Sequence, residues 1–269
     1  RGGRRGDPRR GARPTRRAEC GISVAMTRSA GRRVSLSTWD ALGNTYVVAE
    51  RHEGALTADE VRALCPGVDG LVEIVAAARD EADVVVWNAD GSTAELSGNG
   101  TRIAARWLAE RTGAAEVVIR VGEREVRARL LPQGEVETDL GPVTVGGRER
   151  IDGVDAVRVV VGNPHVVVET DPDEIERLGP LLVAHPRFPH GTNVEAVRIE
   201  RPGEVTARVW ERGVGETSAS GTGAVAAAAA THGEGDVTVH FPGGDLRVRL
   251  ERGRALLTGP ATRIQSSRF

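Results

Sequence analysis

Two short runs have the residue types and spacing of a site that could do chemistry. Ser97-Gly98-Asn99-Gly100 and Ser220-Gly221-Thr222-Gly223 each set a hydroxyl just before what reads as a helix start. A Ser in that position is ordinarily an N-cap. The Gly-x-Gly beyond it leaves backbone N–H groups uncovered, and together with the helix dipole these make an anion site for which a carboxylate is a suitable guest. One such run is weak evidence. Two facing each other would put a hydroxyl on each side of a bound carboxylate. That geometry suits inversion of a stereocentre that carries hydrogen: a base on one face, an acid on the other, and carbanion charge held by the two helix starts.

The two runs are part of a longer repetition. Leu42-Gly43-Asn44-Thr45-Tyr46-Val47-Val48-Ala49-Glu50 aligns without gaps on Val161-Gly162-Asn163-Pro164-His165-Val166-Val167-Val168-Glu169. Trp87-Asn88-Ala89-Asp90-Gly91 precedes Ser97 as Trp210-Glu211-Arg212-Gly213 precedes Ser220, and Trp to Ser is 97 − 87 = 10 and 220 − 210 = 10. The period, 162 − 43 = 119 residues, is that of a domain and not of a solenoid repeat. The landmarks predict two similar halves with a cleft between them.

The elements that must carry these residues also repeat. Val84–Trp87 and Val205–Trp210 read as strands. Ala-rich helices are predicted over Thr101–Glu110 and Ala224–Thr231, each stopping near a glycine, Gly113 or Gly233. Strand pairs follow, Glu116–Val121 with Glu125–Leu131 and Asp236–Phe241 with Leu246–Leu250, the second closed by a turn at Pro242-Gly243-Gly244-Asp245. Glu174–Leu182 reads as a short surface helix. A thin Ala-rich helix can lie inside a curled sheet.

Composition narrows the class. The 269 residues carry 36 basic and 38 acidic side chains, and the basic ones are all Arg. Eleven of them fall in residues 1–33 against Asp7 and Glu19, so the extension carries 11 − 2 = +9 and the remainder 25 − 36 = −11. Residues 1–33 read as a disordered or mis-started extension, with Met26 the one methionine. The division expected beyond it is 34–147, 148–258, and a terminal strand in 259–269 that returns to the first domain. The near-neutral total argues against a dedicated nucleic-acid binder, and no apolar run is long enough to span a bilayer. The two cysteines, Cys20 and Cys65, make no disulfide framework, and His165, His185, His190, His232 and His240 lack zinc-ligand spacing. No signature for pyridoxal phosphate is recognisable. The expectation is a cytoplasmic enzyme with no metal and no nucleic-acid or membrane partner.

Six motifs in order resemble the diaminopimelate epimerase family: Trp87–Ser92, Gly98–Arg102, Gly162–His165, Thr192–Glu195, Glu211–Thr217 and Gly221–Ala224, with Gly43-Asn44 similar to its amino-terminal Gly-Asn. The resemblance implies an α+β fold of two pseudo-symmetric domains, each a mixed sheet curled around a central helix. It implies a cofactor-independent homodimer that interconverts LL- and meso-diaminopimelate. It also implies substrate contacts from Asn44, Asn88, Asn163, Asn193, Glu211 and Arg212, a carboxylate cradle at Gly98-Asn99 and Gly221-Thr222, and pKa tuning by His165 and Glu211.

The resemblance further implies two catalytic cysteines, immediately before Gly-Asn-Gly and Gly-Thr-Gly, where this chain has Ser97 and Ser220. A thiol has a reference pKa of about 8.5 and falls further at a helix N-terminus, whereas a Ser alkoxide is scarce at neutral pH. One helix dipole, worth ~0.3–1 kcal/mol, does not close that gap; activation of Ser220 through His165 or Glu211 is one compensation. Three readings stay open: a diaminopimelate epimerase with Ser at both base positions, an isomerase of another small carboxylate, and a binding homologue that has lost the chemistry.

Overall fold

The computed structural model describes residues 25–29, 32–51, 54–94 and 96–264. The first half runs β1 (Ala25–Ser29), β2 (Arg32–Ala41), β3 (Asn44–Arg51), α1 (Ala58–Leu64), β4 (Gly70–Ala77), β5 (Glu81–Asn88), α2 (Gly98–Thr112), β6 (Glu116–Val121), β7 (Arg124–Leu130), β8 (Glu135–Pro142) and β9 (Thr144–Ile151). The second runs β10 (Val154–Val160), β11 (Pro164–Glu169), α3 (Ile175–Val183), β12 (Asn193–Arg201), β13 (Glu204–Glu211), β14 (Gly215–Thr217), α4 (Gly221–Thr231), β15 (Gly235–Phe241), β16 (Gly244–Glu251), β17 (Arg254–Pro260) and β18 (Thr262–Ile264).

The same pairing scheme occurs twice. β2-β3-β4-β5-β6-β7-β8 and β10-β11-β12-β13-β15-β16-β17 share the sequence antiparallel, parallel, antiparallel, parallel, antiparallel, antiparallel. Each second parallel step is a crossover through a helix, α2 or α4. The halves are stitched by β8 against β17 and by β18, which pairs with β2. The architecture is α+β, with mixed sheets curled around central helices.

Alternation on the strands explains the curl. β5 and β13 both bury every second residue, Ala82, Val84 and Val86 in one and Val205, Ala207 and Val209 in the other. These faces close on the helices. α2 packs with Val48, Val72, Ile119 and Trp39 in one core, α4 with Val167, Val239, Leu246 and Leu257 in another. Gly221 through Ala229 are all buried, so α4 is an internal helix that is apolar all round. Its alanines give it the thin profile that the surrounding strands can enclose.

Three differences from the sequence reading stand out. β1 and the start of β2 lie within residues 1–33, where the sequence predicts no part of the fold. Ala25–Ser29 pairs with Arg32–Leu36 through the backbone ladder, which needs no apolar pattern and so leaves none to read. The expectation for residues 1–24 lies outside the described residues, as do 265–269. α1 has no apolar periodicity long enough to notice, but its capping box, Thr57 to Glu60, is a signal the sequence does contain. α3 is less of a surface helix than predicted: Ile175, Leu178 and Leu182 are fully buried, and Gly179 seats the Trp210 ring.

Candidate functional site

The two Ser-Gly-x-Gly runs begin α2 and α4. Ser97 and Ser220 both have extended backbones and cap the helices, their Oγ atoms accepting the N–H of Gly100 at 3.0 Å and of Gly223 at 3.2 Å. The helix starts meet. A Cβ on Gly98 would lie 2.8 Å from Gly221 Cα, and one on Gly221 would lie 2.8 Å from Gly98 Cα. Only glycine at both positions lets two backbones approach so closely. The helix N-termini therefore converge on one place.

That place is a cavity of about 320 Å³. Both hydroxyl residues line it, and so do Gly98, Asn99, Gly221 and Thr222 from the helix starts. Asn88 reaches the wall from the end of β5, and Asn163 from the turn before β11. Asn193 begins β12, Glu211 ends β13, and Arg212 follows it. Among the described residues of the lining, Arg212 supplies the positive side chain and Glu211 the negative one. A larger groove of about 410 Å³ crosses β6, β7 and β8, but it holds none of the duplicated motif residues.

Neighbouring bonds hold these side chains in place. Asn193 Oδ1 accepts the Arg212 N–H at 2.8 Å, and the Arg212 guanidinium donates to His190 O at 2.7 Å. Thr217 Oγ1 donates to Glu211 Oε1 at 2.7 Å. Burial pushes the Glu211 carboxyl above its ordinary range, against the Thr217 bond and the field of His165. Asn88 Nδ2 donates to Ser92 Oγ at 2.9 Å.

Two further residues expected to serve the site, Asn44 as a substrate contact and His165 as a pKa-tuning group, are buried next to it and do not line the cavity. Asn44 is buried and donates to Ala41 O at 3.3 Å and to Ala219 O at 2.8 Å, bracing the chain one residue before Ser220. It follows the Leu42-Gly43 turn, where φ is 59° and 79°, the geometry of a two-residue hairpin. His165 is also fully buried. Its Nδ1 lies 2.7 Å from Glu195 Oε1 and its Nε2 lies 2.9 Å from Asn163 Oδ1, so one ring nitrogen is bonded to a buried carboxyl group while the other orients a cavity-lining amide. Burial raises the Glu195 pKa, against the pull of His165, and among the described residues Glu195 Oε2 has no hydrogen-bond partner.

Residues the sequence reading passed over complete the site. Glu195, quoted only as part of a motif, lies beside the start of α4, where a Cβ on Gly223 would come 3.0 Å from its Oε1. Arg102, the last residue of the Gly98–Arg102 motif, is wholly buried: it donates to Gly98 O at 2.9 Å and to Asn99 Oδ1 at 2.7 Å. Asn99 Nδ2 in turn donates to Ala219 O at 3.2 Å. The start of α2 is thus tied across the cleft to the residue before Ser220. Burial lowers the Arg102 pKa to about 10. Tyr46 lines the cavity too, and the gapless alignment of the halves, which sets it opposite His165, is the signal that points to it. Among the described residues no group of three or more His, Cys, Asp or Glu is placed to hold a metal ion, and no helix is long and apolar enough to cross a membrane.

Sequence comparison decides the family. Diaminopimelate epimerase of Acidothermus cellulolyticus is 36% identical over 85% of this chain and 93% of its own length, and that of Thermobifida fusca is 40% identical over 81% and 91%. The chain belongs to the diaminopimelate epimerase family. The sequence model described as diaminopimelate epimerase matches residues 157–264. Among solved structures, a hydroxyproline epimerase from Agrobacterium vitis superposes with a TM-score of 0.64 at 16% identity, covering 86% of this chain and 89% of that one. A phenazine biosynthesis protein from Bacillus anthracis gives 0.65 at 13%, covering 86% and 97%. These likenesses are of fold. The chain is an epimerase-like enzyme.

Proposed function

We propose that this enzyme inverts the α-carbon of diaminopimelate, interconverting the LL and meso forms without a cofactor, with Ser97 and Ser220 at the acid and base positions. The observation that carries the reading is the Gly98–Gly221 contact, which brings two helix N-termini and two hydroxyl residues to one cavity. The α-carboxylate takes the uncovered N–H groups of both helix starts, which also hold the charge that develops when the α-proton leaves. Asn88, Asn163 and Asn193 offer amide groups to the rest of the zwitterion, and Glu211 and Arg212 meet its ammonium and carboxylate. His165, through Glu195 and Asn163, sets the charge on the Ser220 side. The working form is a homodimer in the cytoplasm.

A second reading, a carboxylate-binding protein without turnover, is supported by the caps: each Ser oxygen already accepts a hydrogen bond from its own helix. One experiment separates the two. LL-diaminopimelate incubated in deuterated water with the purified protein gains α-deuterium and drifts towards the meso form if the first reading holds. Binding without exchange establishes the second. Exchange without inversion leaves one working face. In the double variant Ser97→Cys with Ser220→Cys the exchange rate rises by about 10² or more, the scale of a well-matched acid–base pair; no rise means that the cleft differs from its relatives in more than these two residues.

A further inference from the structure

The duplicated halves place different side chains at one equivalent position. Tyr46 and His165 each follow the Gly-Asn pair at the same distance, and each is aligned with the first residue of a parallel neighbour strand, Gly70 on β4 and Asn193 on β12. The imidazole is taken up by Glu195 and Asn163. The phenol points elsewhere: Tyr46 Oη stands 3.5 Å from Ser97 Oγ, on the cavity wall. Its ring has a seat made for it. A Cβ on Gly70 would come 2.7 Å from Tyr46 Cε1 and 2.5 Å from Trp87 O, so the ring lies over a position that only glycine can occupy.

We propose that Tyr46 is the proton-relay partner of Ser97, the device on the first-half face that lets a serine hydroxyl act as the acid. A serine oxygen has two acceptor sites and one hydrogen. The Gly100 N–H fills one acceptor site of Ser97; the phenol O–H fills the other as it closes the 3.5 Å gap. The Ser97 hydrogen is then left for the cavity. When a base on the Ser220 face has taken the α-proton, the carbanion's electron pair forms a C–H bond with the Ser97 hydrogen. The Ser97 O–H bond breaks, a new one forms with the Tyr46 proton, and the negative charge comes to rest on the phenolate oxygen. A phenol bears that charge more readily than an aliphatic hydroxyl because it spreads into the ring, by a margin that burial of Tyr46 narrows. Solvent returns the proton, and the reverse reaction runs the same transfers backwards.

The surroundings keep Tyr46 in the donor form between turnovers. Burial, first, and the neighbouring carboxyl groups of Glu211 and Asp69 raise its pKa, while Ser97 and Arg102 pull it down. The first-half face therefore rests as the acid.

The inference rests on the epimerase reading, and the test keeps the two apart. Deuterium exchange into LL- and meso-diaminopimelate is measured for the wild type, Tyr46→Phe, Ser97→Cys and the double variant. Phe keeps the ring on Gly70 and removes one oxygen. Tyr46→Phe lowers kcat at least about tenfold with KM little changed, and the same substitution in the Ser97→Cys background has almost no effect, because a thiol needs no relay. An equal loss in both backgrounds, or a loss confined to KM, makes Tyr46 a packing residue and overturns the relay. An active wild type indifferent to Tyr46→Phe overturns the relay alone. A wild type that exchanges nothing overturns both.

Discussion

The Ser97 end and the Ser220 end of the cleft are built from the same plan, and what distinguishes them is where charge is buried. Both helices are capped by the serine, and both begin with a glycine pressed on its counterpart. Around Ser97 the neighbours are a neutral phenol, Tyr46, and an amide, Asn88. In the second half the equivalent positions hold His165 and Glu211, and Glu195 bonds to His165. Each half buries one glutamate on the strand parallel to its Gly-Asn strand, but on opposite faces. Glu73 on β4 turns away from α2 and is held by Arg51 at 2.7 Å, by the Trp87 indole at 3.0 Å and by the Leu56 N–H at 3.0 Å. Glu195 on β12 turns towards α4. The lesson is that a duplicated fold can keep its backbone and specialise its two sides, one lined by neutral hydroxyls, the other backed by a buried imidazole–carboxylate pair.

Making the second half more like the first breaks the comparison most severely at Glu195. The register sets Glu195 opposite Val167 as it sets Val72 opposite Val48. Glu195→Val thus imports the first-half residue and strands His165 in an apolar site. The expected loss is ~3–5 kcal/mol, the scale for breaking a buried pair from one side, read as a fall in the urea unfolding midpoint. A loss under about 1 kcal/mol would mean that His165 finds another partner.

The shared glycine contact is the next largest effect, and it must be symmetric. Gly98→Ala and Gly221→Ala each force a Cβ to within 2.8 Å of the opposing Cα. Overpacking of this kind costs ~1–3 kcal/mol, and both variants lose exchange together as the helix starts part. Gly147→Ala is the control, since nothing lies within 4 Å of a Cβ there. Calorimetry in which one of the pair is silent would show that the two helices do not define one site.

The smallest effect sharpens the electrostatic difference. Glu211 has a folded-state pKa raised above its ordinary value of 4.5. The folded chain therefore holds a proton that the unfolded chain releases. Its contribution is fully present below that ordinary value and is lost as pH rises through the raised one. Glu211→Gln, which gives the second half an amide as Asn88 does the first, flattens this part of the decline in stability as pH rises above about 4.5. Glu195 keeps the remainder. Unfolding curves across that range check it; an unchanged slope would mean that Glu211 is ionised in the fold.

Much of this was legible along the chain because it is local. The repeated Trp-to-Ser spacing, the serine caps, the Ala-rich helices and the hairpin strands depend on neighbours a few residues apart, and the strands β6 and β15 fall within one residue of the predicted spans. The placement of Asn44 and His165 was not legible. Each lies in a motif, but whether its side chain meets the cavity or the wall behind it depends on which strand comes alongside and in what register. Arg102 was hidden for the same reason. Its burial follows from the meeting of α2 with the other half, and no helical pattern announces a guanidinium tucked under two backbones.

The sequence by itself determined that there are two halves, that each has a serine-capped glycine start, and that the motifs follow a diaminopimelate epimerase order. Those are matters of residue type and spacing. The tertiary structure alone decided that the two starts touch, that the counterparts Tyr46 and His165 face different partners, and that Asn44 bonds to Ala219 of the other half. Contacts between residues more than a hundred positions apart are fixed by strand register and by how closely two backbones can pack. In one dimension, neither leaves a trace.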